Sequence, residues 1–199
     1  MKAQSTLPEG YKEIFSVNLQ TNKKIAMFVN VLATLIAVVL AVPAHFIVPI
    51  QTLFDMSDGL VVYAIRFMVL LILMILYIVL HEMVHGIVMK YYGTQKVKFG
   101  FTGLYAFAGS DDYYAKKSYF IIALAPVVLW GVVLGIVNCL VPKEWFWVVY
   151  MIQLCNLSGA AGDLYVTIKF SKMPKDILVQ DCGIGMTVYS KESKEKTYE

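Results

Sequence analysis

The residues with the clearest capacity for chemistry are His81, Glu82 and His85, in the run Leu80-His81-Glu82-Met83-Val84-His85-Gly86. On a helix, positions i and i+4 share one face about one turn apart, so the two imidazoles can hold one metal ion. The intervening glutamate can handle a water at that ion without binding the ion itself. With only three histidines in the chain, this H-E-x-x-H spelling would arise by chance roughly 0.2% of the time. The run also lies in an apolar segment. There an ionisable side chain costs about 2.5–3.5 kcal/mol, so such residues tend to face a site. A proton relay and a polar contact between helices are the competing uses of such a cluster.

A catalytic zinc takes three protein ligands and leaves a fourth position for water. The third ligand is expected from another segment at matching depth, and Asp163 fits. His85 stands five residues before Lys90 and Asp163 six before Lys169, depths that agree within a turn at about 1.5 Å per residue. The small residues Ser158, Gly159, Ala160, Ala161 and Gly162 before it allow close helix approach. The same residues fit a packing seam with Asp163 as its polar contact.

The elements that must position these groups follow from composition. Of 199 residues, 59% are apolar and 16% charged, and mean hydropathy is +0.66. A soluble domain has about 25% charged residues, so a water-soluble globule and a disordered chain are both disfavoured. The net charge of +3 is spread between apolar segments rather than over one basic face, which argues against a nucleic-acid partner. Cys139, Cys155 and Cys182 are odd in number and form no CxxC pair, giving neither a disulfide framework nor a thiolate metal site.

The hydropathy pattern predicts an all-α integral membrane protein, a bundle of four transmembrane helices at about 25–48, 60–90, 119–141 and 145–169. A single membrane domain over 1–199 would then comprise these helices, an N-terminal segment 1–24 without a secretory signal, a loop 91–118 and a tail 170–199. Lys and Arg number four, zero, five, one and six in the successive connecting pieces. That alternation predicts a multi-pass protein of the cell membrane with both termini cytoplasmic. Residues 97–108, rich in aromatic and β-branched types and punctuated by Gly100 and Gly103, predict a small cytoplasmic β-hairpin, and 177–189 reads as a further strand element. The last residues, 191–199, read as a solvated, mobile tail.

The residues also carry a resemblance. His-Glu-Met-Val-His-Gly on a membrane helix, with a downstream run from Asn156 to Asp163 on a later helix, resembles the site-2 protease clan of intramembrane zinc metallopeptidases. With Leu-Pro-Glu-Gly-Tyr-Lys-Glu-Ile near the start and Ala-Leu-Ala-Pro at 123–126, the chain is most similar to the bacterial DUF3267 family, to which a zincin-type peptidase activity is ascribed. The resemblance implies a bacterial inner-membrane enzyme with one Zn2+ per chain. It makes His81, His85 and Asp163 the ligands, Glu82 the acid/base, and Asn156 a support for substrate or transition state. The Asn-to-Asp run here lacks the prolines usual in that clan.

The function expected is a zinc-dependent endopeptidase working at or just inside the cytoplasmic membrane boundary, on a membrane-protein or peptide substrate in the lipid bilayer. A zinc hydrolase of a non-peptide membrane substrate shares the same residues. A non-enzymatic scaffold or regulator with a retained metal site is the alternative from another class, and Glu82 weighs against it. Other polar residues are assigned plainer roles. His45 is read as interfacial packing, Arg66 as snorkelling to the outer interface, and Asp111 and Asp112 as solvated. Asp181 could approach the site from the C-terminal strand, but a surface turn is the simpler reading.

Overall fold

The computed structural model describes residues 2–103 and 105–191, so all but Lys191 of the stretch 191–199, expected to be a mobile end, lies outside the described residues. The chain runs through β1 (Lys12–Asn18), α1 (Lys23–Ile47), a 3-10 turn at Ile50–Phe54, α2 (Leu60–Tyr91), β2 (Lys98–Phe101), β3 (Ala106–Gly109) and β4 (Tyr113–Ala115). It continues through α3 (Lys116–Leu140), α4 (Lys143–Gly159), α5 (Ala161–Ser171), β5 (Leu178–Asp181) and β6 (Gly185–Ser190). Two compact units result. One contains the chain up to Phe28, Glu82–Ala125 and the chain from Asp163, and the other contains Val29–His81 and Pro126–Gly162.

The first unit is built on an antiparallel sheet in the order β1-β6-β5-β4. Local chemistry sets its connections. The Asn18 side chain accepts the Gln20 N–H at 2.8 Å and turns the chain out of β1. Asn22 then accepts the Ile25 N–H at 3.2 Å, capping the start of α1. Tyr114, Tyr119, Ile122, Phe170, Ile177, Val179 and Val188 fill the core of this unit. Each fully buried Ile or Phe side chain contributes about 1.5–3 kcal/mol. The hairpin of β2 and β3, paired from Lys98↔Gly109 to Phe101↔Ala106, is tied in by glycines. A Cβ on Gly109 would stand 2.4 Å from the backbone of Cys182 and Gly183, and one on Gly86 would stand 2.5 Å from the Phe99 ring. Strand β2 therefore packs directly on α2, at the residue after His85.

The second unit is helical. Trp147 is buried, and its indole N–H donates to the Val48 carbonyl at 3.0 Å, while the Tyr150 hydroxyl donates to the Leu40 carbonyl at 2.8 Å. A second cluster gathers Leu70, Tyr77, Val148 and Ile152. Helix α4 buries Trp147, Val148, Val149, Ile152, Leu154 and Asn156. By contrast, α1, α2 and α3 bury only 6%, 11% and 17% of their most apolar windows, leaving side chains such as Phe46 and Val61 exposed. Such faces are compatible with a lipid surrounding. These three helices are long and apolar enough to cross a membrane.

Two features of the expected fold are corrected. The protein is not an all-α bundle of four transmembrane helices: among the described residues about 61% are helical and 15% are in strands, in two antiparallel sheets, with three candidate spans. The segment read as a fourth span breaks between α4 and α5. Ala160 leaves helical geometry at φ −79°, ψ 11°, and the Ser158 hydroxyl donates to the Leu154 carbonyl at 2.7 Å. The 17 residues of α4 reach about 25 Å, short of the ~30 Å hydrocarbon core. Strands were under-read because β1 pairs with β6 from the far end of the chain, with a bulge between Glu13 and Phe15 that spoils its alternation.

Candidate metal centre

Helix α2 presents His81 and His85 one turn apart, both buried, at 9% and 8% exposure. Asp163 comes from the first turn of α5. The break after Gly159 is what puts it there, because it gives Asp163 a helix start rather than a helix middle. The positive end of a helix favours a carboxylate by about 0.3–1 kcal/mol. One donor atom from each of His81, His85 and Asp163 lies within 4.8 Å of the other two. His85 Nε2 is 3.8 Å from Asp163 Oδ2.

The hydrogen bonds around this group bear on whether a metal fits. His85 Nδ1–H donates to the Ile122 carbonyl at 2.9 Å. A carbonyl only accepts, so a neutral His85 carries its proton on Nδ1 and turns the lone pair of Nε2 toward the Asp163 carboxylate. An imidazole nitrogen and a carboxylate oxygen are both ligand atoms for a metal ion, and here they face each other. Two imidazoles and one carboxylate are the donor set of a three-ligand zinc site, in which bond lengths near 2.0–2.2 Å hold donor atoms about 3.3 Å apart. The 3.8 Å between His85 Nε2 and Asp163 Oδ2 is somewhat wider than that, and the residues fit such an ion. Glu82 follows His81 on α2 and is half-buried.

The remaining sequence candidates fall as follows. Asn156 is fully buried, with its amide engaged at both ends: Oδ1 accepts the Tyr77 hydroxyl at 2.9 Å and Nδ2 donates to the Val127 carbonyl at 3.2 Å. The Tyr77 hydroxyl also lies 2.7 Å from His81 Nδ1. His45 accepts the Ile50 N–H at its Nδ1 and closes the turn after α1. Arg66 pairs with Asp58, and Asp111 pairs with Lys98 on the surface. The structure does not bring these last three residues together with the histidine group.

One residue of this neighbourhood, Tyr77, escaped the sequence reading, and another, Asp181, was given the plainer of its two readings. Tyr77 lies one turn before His81 on the same helix face, a spacing that could have signalled it. Asp181 is buried rather than part of a surface turn. Its carboxylate accepts the Tyr119 hydroxyl at 2.9 Å and the Gly183 N–H at 2.8 Å. Burial pushes its pKa up to about 6, opposed by those two hydrogen bonds and by His85 and reinforced by the Asp163 charge. Its only sequence cue was the acid-x-glycine spelling of a side-chain-stabilised turn.

Residues 74–178, more than half of the chain, match a protein family described as "Putative zincin peptidase", DUF3267. The match includes Tyr77, the His81–His85 run, Asn156 and Asp163, and ends before Asp181. No curated protein matches the chain, and no solved structure does. A chain covered by the family over that length, with the histidine pair and its facing carboxylate inside the match, belongs to the DUF3267 family.

Proposed function

We propose that this chain is a zinc-dependent endopeptidase of the site-2 protease kind, acting on membrane-protein or peptide substrates at the membrane boundary. The observation that carries the reading is the convergence of His81, His85 and Asp163 from two helices, in a family to which a zinc peptidase activity is ascribed. His81, His85 and Asp163 would hold the ion. Bound zinc supplies a Lewis acid that acidifies water and polarises a carbonyl. Glu82 accepts the proton of the attacking water and delivers it to the departing amine nitrogen. Burial of the two imidazoles keeps bulk water away from the group.

The substrate backbone is taken up by strand addition to the hairpin of β2 and β3. Supporting this, the Phe99 ring of β2 lies against Gly86, next to His85. The sheet faces the cytoplasm. β1 and β6 pair in the four-stranded sheet and so share a side, and the lysines concentrate in residues 2–24, 90–117 and 169–196.

The test is turnover by the purified protein in bilayers, offered a fluorogenic transmembrane peptide and, separately, a lipid extract. Peptide cleavage that disappears in Glu82→Gln supports the reading. Lipid hydrolysis with intact peptide moves the activity to a non-peptide substrate, and turnover of neither by zinc-loaded protein overturns the enzyme.

A further inference from the structure

Helix α3 contains a fully buried proline, Pro126. Proline has no N–H, so the carbonyl four residues earlier in the helix loses its usual partner. That carbonyl belongs to Ile122, and it is the one that accepts His85 Nδ1–H. The proline thus frees a backbone acceptor at the place where an imidazole needs one.

His81 connects to the same helix through two side chains, and each link has only one possible direction. The Val127 carbonyl can only accept, so it fixes the Asn156 amide with Nδ2 toward it, at 3.2 Å, and Oδ1 away. Oδ1 can only accept, so the Tyr77 hydroxyl donates to it at 2.9 Å. A hydroxyl has one proton. Having given it to Asn156, the Tyr77 oxygen must accept from His81 Nδ1–H at 2.7 Å. The opposite polarity would set the Asn156 carbonyl oxygen against the Val127 carbonyl oxygen.

We infer that backbone carbonyls of α3 set both histidines as their Nδ1–H tautomers, with Pro126, Tyr77 and Asn156 as the positioning residues. Each imidazole then presents the lone pair of Nε2, and the Nδ1–H bond both holds the ring's orientation and raises its basicity as a ligand. Asn156 accordingly acts on His81 through Tyr77 instead of on a substrate. The benefit to metal binding rests on the proposed zinc site; the tautomers themselves do not. His45 supplies an internal contrast, because its Nδ1 accepts the Ile50 N–H at 3.0 Å and its proton must therefore sit on Nε2.

The test is nitrogen NMR of histidine-labelled, metal-free protein at a pH where the rings are neutral, together with zinc affinity. Wild type is expected to show Nδ1–H for His81 and His85 and Nε2–H for His45. Tyr77→Phe should release the tautomer of His81 alone, and Pro126→Ala, which restores a competing N–H for the Ile122 carbonyl, that of His85 alone. Each substitution should weaken zinc binding by about 10–100-fold. An Nε2 proton on His81 or His85 in wild type overturns the inference without need of any variant. So do unchanged tautomers and unchanged zinc affinity in both variants. Nδ1–H tautomers in a wild type that binds no zinc would uphold the tautomer assignment and defeat the zinc site.

Discussion

Replacing Asp181 with asparagine should make the metal-free protein more stable at neutral pH. Asp181 has a folded-state pKa of about 6 against an ordinary carboxylate value of 3.8, raised chiefly by burial. The folded state therefore binds the proton more tightly than the unfolded state. Below the unfolded value both states are protonated and the acid costs nothing. As pH rises through the folded value stability is lost, and above about 6 the full cost is present. Roughly two pKa units at 1.36 kcal/mol each give about 3 kcal/mol.

Asparagine mimics the neutral acid and keeps an oxygen for the Gly183 N–H. The Tyr119 hydroxyl can turn its proton to Met186 Sδ, already 2.9 Å away, and accept from the new amide. The expected gain for Asp181→Asn is about 1–3 kcal/mol near pH 7.5, shrinking toward zero near pH 4. Tryptophan-fluorescence unfolding in detergent, run on both proteins from about pH 4 to 8, isolates this group, because the other titrations cancel in the difference. A stability difference that is flat with pH, or a variant less stable than wild type at neutral pH, would refute the argument.

Two further predictions concern glycines that let hairpins approach. Gly109→Ala places a Cβ 2.4 Å from the Cys182 and Gly183 backbone, which cannot swing aside as a side chain could. It should cost about 1–3 kcal/mol in chemical denaturation, and wild-type stability would contradict that packing. Gly86→Ala drives a Cβ to 2.5 Å from the tip of the Phe99 ring. Its cost should fall when Phe99→Ala is added, with a coupling of about 0.5–3 kcal/mol; strictly additive effects would mean that β2 does not rest on α2 there.

How much of this was legible in the sequence depends on the range of the interactions. The His81–His85 pair is encoded by helical spacing alone, so its shared face followed from four residues of separation. Asp163 could be matched to it by depth, because Lys90 and Lys169 mark comparable positions along their segments. The break at Ala160 could not be read in the same way. Ser158, Gly159 and Ala160 are each compatible with a continuous helix, so no local pattern marks the break. Strand β1 was missed because its partner, β6, lies about 170 residues away, and a strand's short alternation carries little information without its neighbour. The burial of Asp181 and the donor chain from His81 to Val127 depend on three-dimensional contacts that no local pattern encodes. Even so, Pro126 and Tyr77 were visible as a helix-interior proline and a tyrosine one turn from a histidine.

The most direct test of the metal centre is the metal content of the purified protein, measured by elemental mass spectrometry after zinc is resupplied, for wild type beside His81→Ala, Asp163→Ala and Glu82→Gln. One zinc per chain in wild type and in Glu82→Gln, and loss of zinc in the other two, is the result predicted by three ligands and a separate acid/base. Folded wild type without zinc, or zinc retained when His81 or Asp163 is removed, would contradict the account.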